Sequence, residues 1–311
     1  MCIPAHVWAG NNPAAQQVLD NAASPAGLFR NATAPFELEV EFAAQSQVPT
    51  QGRLLLRWKA KDQWWSKVIF GAFQQITIRN GEMESTERNL DFTPMAVKEL
   101  FNLLQIRQDF STFIANKQKA HTEQGAALTC IQGQRFESKD SVHDICVEAD
   151  SHEVRSDEWQ FGEEKRKQQF EDYSGFEGIR FPKKLELLLN GSSVLSAGVL
   201  RLQAASFDAA LLVPPKDAIE RRRCPGITPP VLLSKPEFPD DPALTGTTTA
   251  SVTVLADGSV GDVQLIASGG RIMDGPTVAA LKKFKFKPAT CGNEPVVFDS
   301  QITVNKITKK Y

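Results

Sequence analysis

Rows of residues that alternate apolar and charged with a period of two run through the first third of this chain, and they constrain it to fold as sheet. Phe36, Leu38, Val40 and Phe42 alternate with Glu37, Glu39 and Glu41, so one face enters a core and the other meets water. Leu54, Leu56 and Trp58 alternate with Arg53, Arg57 and Lys59, and Trp64, Ser66, Val68 and Phe70 form a third row. Ile76 and Ile78 belong to a fourth, which ends at the hairpin dipeptide Asn80-Gly81. Rows joined by turns this short make an antiparallel meander. Segments 126–133, 144–149, 168–173, 179–189 and 193–206 repeat the pattern, with Asn190-Gly191 as a second hairpin signal. A polar helical stretch at 12–22 precedes the first row.

One helix is predicted within the sheet region, over 94–104, with Thr93 as N-cap and Pro94 at the first helical position. Val97, Leu100, Phe101 and Leu104 fall at i, i+3, i+4 and i+7, an apolar stripe that must lie on an apolar surface, here the concave face of the sheet.

The last eighty or so residues change rhythm. Thr248, Ala250, Val252 and Val254 alternate with Thr247, Thr249, Ser251 and Thr253; Asp257-Gly258 suits a type I′ turn; Val260, Val263, Leu265 and Ala267 continue beyond it as the second strand of a hairpin. A helix follows, for which Asp274 is the expected N-cap and Pro276 a first-turn residue, with Val278, Leu281 and Phe284 on its buried face and Lys282, Lys283 and Lys285 at its C-terminal end. After Pro288, a Gly292-Asn293 turn leads into one final strand over 296–304. The order is ββαβ.

Gly246, Asp257-Gly258, Val260, Asp262-Val263, Asp274, Ala279-Ala280, Phe286 and Pro288-Ala289 recur at set intervals, and Pro236-Glu237-Phe238-Pro239 stands where an entry segment would. Over 229–304 this string resembles the C-terminal domain of TonB, the periplasmic protein that docks on outer-membrane transporters. Gly275-Pro276 and Phe284 depart from that family, which usually has helix formers and a tryptophan there. The resemblance implies a binding domain without covalent chemistry. Its docking edge would be the last strand, Val296, Val297, Phe298, Ile302 and Val304, pairing with an extended peptide.

A second, looser resemblance covers 28–215. The order helix, meander, covering helix, more strands, with Gly52-Arg53-Leu54-Leu55-Leu56-Arg57-Trp58, Asp172-Tyr173, Arg180-Phe181-Pro182, and a closing Phe207-Asp208 before Pro214-Pro215, looks like the half-barrel of the lipoprotein carriers LolA and LolB. A plain β-sandwich or another open barrel would also accommodate these rows. The resemblance implies a cavity for an apolar ligand or lipoprotein acyl chain, lined by Phe42, Trp58, Trp64, Phe70, Val97 and Phe101; Arg53 or Arg57 sits in the strand that carries the family's cargo-engaging arginine, without a match to that position. Ordinary core packing is the competing account of those aromatics.

At 311 residues and 41% hydrophobic content the chain has room for two domains. With 35 basic and 37 acidic residues interspersed and a net charge of −2, it carries no electrostatic footprint for nucleic acid. No run of about eighteen apolar residues occurs; the most apolar stretch, 194–213, is interrupted by Arg201, Gln203 and Asp208. Residues 1–9 end in Val7-Trp8-Ala9, a pattern acceptable to a signal peptidase but without the charged and apolar parts of a signal, so 1–27 reads as a signal remnant and N-terminal helix, with a frayed terminus as the alternative for 1–9. Export would suit disulfides among Cys130, Cys146, Cys224 and Cys291, for which three pairings are open; free buried thiols are the alternative.

No catalytic, metal or cofactor site is expected. His143 and Cys146 face opposite sides of a strand, and the cluster His143, Cys146, Asp150 and His152 matches no zinc-ligand spacing. Neither a Gly-x-Ser-x-Gly turn nor a glycine-rich phosphate loop is present. The runs Glu163-Glu164-Lys165-Arg166-Lys167 and Arg221-Arg222-Arg223 read as solvated. The expected organisation is a half-barrel over 28–215, a linker over 216–230 and a TonB-like domain over 231–311. The expected function is that of an exported, non-catalytic cell-envelope protein of the periplasm. It would hold an apolar ligand and dock an envelope or outer-membrane transporter protein. The alternatives are an envelope assembly factor, or a component of a TonB-dependent transport system without its own membrane anchor.

Overall fold

The computed structural model describes residues 12–23, 27–45, 49–90, 93–105, 110, 112–123, 125–135, 138–161, 164–216, 218–222, 224, 226–236 and 244–306. The signal-like segment 1–9, Glu163, Arg223 and the Glu237-Phe238-Pro239 part of the entry segment lie outside them. The elements run α1 (Pro13–Ala23), α2 (Leu28–Asn31), β1 (Phe36–Ala44), β2 (Thr50–Ala60), β3 (Gln63–Phe70), β4 (Phe73–Asn80), β5 (Met83–Arg88), α3 (Met95–Leu104), β6 (Phe113–Glu123), β7 (Ala126–Arg135), β8 (Ser138–Glu148), β9 (Val154–Phe161), β10 (Glu164–Phe176), β11 (Ile179–Leu189) and β12 (Ser192–Ala204). They continue with β13 (Ile219–Arg222), β14 (Ile227–Thr228), β15 (Val231–Ser234), β16 (Gly246–Val254), β17 (Val260–Ala267), α4 (Arg271–Leu281), β18 (Lys285–Lys287), β19 (Ala289–Cys291), β20 (Glu294–Val296) and β21 (Phe298–Lys306). The chain divides into two compact units, Met1–Gln74 with Ala96–Ala210, and Gln75–Met95 with Leu211–Tyr311. Segment 75–95, which the sequence assigns to the first module, is counted with the second.

Unit 1 is dominated by one antiparallel sheet in the order β3-β2-β1-β12-β11-β10-β9-β8-β7-β6. Two meanders meet where β1 pairs with β12, Phe36 opposite Ala204 and Ala44 opposite Leu195. One sheet face carries a single apolar cluster that includes Phe36, Leu38, Val40, Leu54, Ile131, Ile145, Phe170, Leu185 and Leu195. Ala15, Leu19 and Ala22 of α1, Leu28 of α2, and Val97, Leu100, Leu103 and Leu104 of α3 complete it. The covering helix is therefore joined by α1, whose entry is fixed by Asn12: its carboxamide oxygen accepts from Ala14 N–H and Ala15 N–H, and its own N–H donates to Ala115 O at 2.7 Å.

Several local expectations change. Glu37 and Glu39 do not face water: they are 2% and 8% exposed. Asn190 and Gly191 both adopt positive φ, 50° and 80°, as a type I′ turn requires. At Asp257-Gly258 only the glycine is left-handed, φ 82°, while Asp257 Oδ1 accepts from the backbone N–H and hydroxyl of Ser259. Thr93 does not spend its hydroxyl on α3; it donates to Gln75 Oε1 at 2.6 Å and accepts from Arg88. Strands β6 and β9 went unread in the sequence because FIANKQKAHTE and VRSDEWQF hold too few alternating apolar residues.

In unit 2, β16 is the middle strand of β17-β16-β21, and α4 covers that sheet with Leu281 inside a small core of Ala250, Val252, Val254, Val263, Phe284 and Phe286. The helix begins earlier than expected, with Gly270 as N-cap and Pro276 inside it. Asp274 instead ties down the preceding loop, accepting from Gly269 N–H, Ser268 hydroxyl and Thr248 hydroxyl. The expected last strand is two: β20 pairs with β19, and after Val297 the chain starts again as β21 against β16. The expected linker is also structured, since β13 pairs with β5 and β14 with β19.

Two inward glycines admit an aromatic ring from the neighbouring strand. A Cβ at Gly133 would collide with the Ile114 carbonyl oxygen and the Phe113 ring, and one at Gly52 with the Phe42 ring. A Cβ at Gly258 would meet the Phe286 carbonyl oxygen at a φ that side chains avoid. Gly133→Ala is expected to cost about 1–3 kcal/mol in urea unfolding, and Gly258→Ala at least as much because overcrowding and backbone strain add; midpoints equal to that of the unaltered protein would refute this account.

Candidate functional site

The residues expected to line a hollow in unit 1 come together, but as core. Trp58, Phe42 and Val97 are 5%, 3% and 0% exposed, and Trp64, Phe70 and Phe101 pack half-buried against the same cluster. Trp58 stacks on Phe36 at 5.0 Å between centroids, and Phe42 on Phe70 at 5.4 Å. The apolar stripe of α3 packs into the same cluster.

Further along the same sheet face the side chains become polar. His143 and Trp159 are opposite each other in the ladder and stack at 5.4 Å; His143 Nδ1 lies 2.7 Å from Asp157 Oδ1. Arg135 stands over Phe110 and Phe113, 6.0 Å from each centroid. Arg166 donates to Glu99 of α3 at 2.6 Å and lies over Trp159. The charge run at 163–167 is therefore not wholly solvated. Burial pushes the Glu164 carboxyl above its ordinary pKa, Arg166 opposes this, and Glu99 reinforces it. Cys146 points to the other face, as its spacing from His143 demands, and is bonded to Cys130 directly across the ladder. Cys130, Cys146 and Asp144 are close enough to hold a metal, but both sulfurs are already in the disulfide.

That other face carries an ionic ladder the sequence reading missed. Arg201 donates to Glu37 at 2.7 Å and to Glu39 at 2.8 Å; Arg57 pairs with Glu37 and Arg53 with Glu39. Arg53 and Arg57 are thus engaged on the face away from the apolar core. The usable signal was the cross-strand match of Glu37 and Glu39 with Arg57 and Leu55 on one side and Gln203 and Arg201 on the other. Beside the ladder lies an open concavity of about 750 Å³ of mixed character, lined by Phe42, Leu185 and Leu200 as well as by Glu41, Arg53 and Lys184.

In unit 2 the expected docking edge is distributed over two strands. Val296 is in β20 opposite Ala289, Val297 lies between strands, and Phe298, Ile302 and Val304 are in β21. Residues of β21 alternate half-buried and exposed, with Ile302 and Val304 packed on the core. Strand β21 ends the order β17-β16-β21, so among the described residues only one of its edges is paired with a strand. Cys224 is bonded to Cys291 of β19, which fixes one of the open pairings along with Cys130–Cys146. Arg222 bonds Glu82 and Glu294 and Arg221 faces Asp299; Arg222 is 49% exposed, so the run is solvated as expected while pairing at the surface of unit 2.

Residues 236–305 match the family model described as the C-terminal of the Gram-negative bacterial TonB protein, so this segment is similar to that domain. No curated protein matches the chain. Solved structures similar to it include a LolA superfamily protein from Nitrosomonas europaea, 12% identical, covering 64% of this chain and 97% of its own, TM-score 0.43. A DUF1329 family protein from Desulfovibrio piger is 9% identical over 66% of this chain and 98% of its own, TM-score 0.44. The Pseudomonas aeruginosa MucA/MucB complex is 10% identical over 77% and 75%, TM-score 0.31. No helix among the described residues is long and apolar enough to cross a membrane.

Two outcomes test the charged groups. Arg201→Ala removes a partner of two buried carboxylates and is expected to destabilise unit 1 by about 1–3 kcal/mol, with Arg201→Lys recovering part of the loss; denaturation midpoints measure both. A carboxyl whose folded pKa is raised favours the fold only while protonated, so Glu164's contribution is full below the unfolded carboxylate range and is lost as pH rises through the folded value. Glu164→Gln should accordingly raise thermal stability at neutral pH, with the gain shrinking toward zero in acid. A gain that grows on acidification would contradict this.

Proposed function

We propose that the protein is an exported, non-catalytic cell-envelope protein that docks an extended segment of an envelope or outer-membrane partner onto β21 by strand addition. The observation that carries this reading is the position of β21: it is the terminal strand of its sheet, within a segment similar to a TonB C-terminal domain. Strand addition gives the backbone groups of such an edge the partners they lack, while side chains on alternate positions select the peptide. The disulfides Cys130–Cys146 and Cys224–Cys291 support an oxidising compartment. In this reading unit 1 takes up an apolar ligand or acyl chain between its sheet and α3, which must lift Val97, Leu100 and Phe101 from the aromatic cluster.

The packing of that cluster favours a second reading for unit 1, an assembly factor whose solid core binds protein only. Lipid mass spectrometry of protein purified from its own compartment separates the two. A co-purifying amphiphile, or saturable uptake of a fluorescent fatty acid, supports the ligand carrier; a ligand-free protein without uptake supports the assembly factor.

Docking is tested by proline. Successive N–H groups along a strand point to opposite edges, so of Ser300→Pro and Gln301→Pro one removes an outward donor and the other breaks the pairing with β16. The variant that keeps the original melting temperature should lose cross-linking between a photoreactive residue placed at the exposed Asn305 and its envelope partner. Undiminished cross-linking in that variant would rule out strand addition at β21.

A further inference from the structure

Helix α3 is held to the sheet of unit 1 by its apolar face and, among the described residues, by one ion pair. Val97, Leu100, Leu103 and Leu104 enter the core. Glu99 accepts from Arg166 of β10 at 2.6 Å, with both side chains largely withdrawn from water. The ends of the helix contribute little. No acidic residue stands in its first turn, where Lys98 is instead, and no basic residue stands in its last. The Thr93 hydroxyl is spent on Gln75. An element with so little local support opens ahead of the fold as a whole.

The ion pair is not balanced. Glu164, the first residue of β10, brings a second carboxylate to the same guanidinium: its Oε1 lies 3.8 Å from Arg166 Nε, too far for a hydrogen bond. Both of these atoms are buried and have no hydrogen-bond partner. The other charged groups around them are committed elsewhere. Lys165 lies on the opposite face of β10, bonded to Glu158 at 2.9 Å. Across β9, β8 and β7, Asp157 Oδ1 is 2.7 Å from His143, and its Oδ2 is 4.0 Å from Arg135. Strand β11 places Leu189 opposite Arg166 and brings no charge there. Lys98 leaves α3 about 100° from Glu99 around the helix axis. Glu164 therefore faces Arg166 from its own strand and Glu99 from α3. Burial disfavours its ionised form most, Arg166 opposes this, and Glu99 adds to it.

We infer that Glu99, Arg166 and Glu164 form a proton-operated latch on α3, seated while Glu164 is neutral and loosened when Glu164 is ionised. With Glu164 neutral, the guanidinium belongs to Glu99 alone and the buried charges cancel. Ionisation leaves a second carboxylate beside Glu99 without a cation of its own. Moving α3 away removes the repulsion from Glu99 and lets water reach Glu164. Opening thus releases a proton and becomes easier as pH rises. As a control on ligand uptake this rests on the reading of unit 1 as a carrier, whose ligand must displace α3; the latch itself is a property of the free chain.

Hydrogen exchange of the full, ligand-free chain, read by mass spectrometry and corrected for intrinsic rates, tests the latch from the ordinary carboxylate range up to about pH 8. Protection of the α3 amides relative to those of β1 should fall with pH, by no more than about tenfold per pH unit, the limit for one proton. Glu164→Gln, neutral throughout, should abolish that fall and keep α3 as protected as it is in acid. Glu99→Gln should cost α3 roughly tenfold in protection at the acid end, where the latch is whole. The inference is overturned if α3 is equally protected at both ends of the range, or if Glu164→Gln keeps the slope. It is also overturned if the β9–β10 turn loosens with pH while α3 does not, or if all elements of unit 1 lose protection together. Uptake of a fluorescent fatty acid by the same samples separates the two readings. Uptake that rises with pH supports the latch as its control, and an α3 that loosens without any uptake supports the latch while counting against the carrier.

Discussion

Strand β1 is the seam on which the larger unit closes. It pairs with β2 on one side and with β12 on the other, so Phe36 is bracketed by Trp58, a near neighbour in sequence, and by Ala204, a distant one. Closing so long a loop carries an entropic cost that only burial at the seam can offset. On one face Phe36, Leu38, Val40 and Phe42 enter the core. On the other, Glu37 and Glu39 are withdrawn from water, which would be unfavourable alone; Arg57, Arg201 and Arg53 make the burial tolerable by supplying charge-assisted hydrogen bonds along the strand. The guanidinium of Arg201 spans both carboxylates, so the register of β12 against β1 and the neutralisation of buried charge are one event.

Unit 2 solves a different problem, that of a small core. Its apolar cluster is a short set of valines, a leucine and two phenylalanines beneath α4, less than an isolated domain of its length needs for comfort. Cross-links compensate. Cys224–Cys291 ties the segment between β13 and β14 to β19, and Arg222 joins Glu82 of the β4–β5 turn to Glu294 of β20. Much of this unit is thus held by its margins, which leaves strand edges at the surface.

Alternation made the strands of the meander legible: where apolar and charged residues strictly alternate, as in β1, β2 and β3, the sequence-based elements and the structure agree. Where neither face is consistently apolar, as in β6 and β9, periodicity carried no signal. The same limit produced the misreading of Glu37 and Glu39, because a period of two distinguishes faces but cannot say that the second face is also covered. Helix ends were missed for a related reason. Asp274 and Thr93 have the chemistry of caps, yet each found better acceptors or donors in a neighbouring loop or strand, a choice made by tertiary contacts. The expected docking edge was readable as a final strand, but its break at Val297 depends on β19 competing with β16 for the same chain. The exposure of β15 was not readable, since Val231-Leu232-Leu233 looks like any buried strand until the structure shows how little covers it.

The character of β21 limits what docking there could discriminate. The strand sends Ile302 and Val304 inward and exposes Asp299, Gln301, Thr303 and Asn305, so a peptide added to it would meet mainly polar side chains and bind through its backbone. Backbone pairing confers affinity on almost any extended segment, and selectivity must then come from outside the ladder.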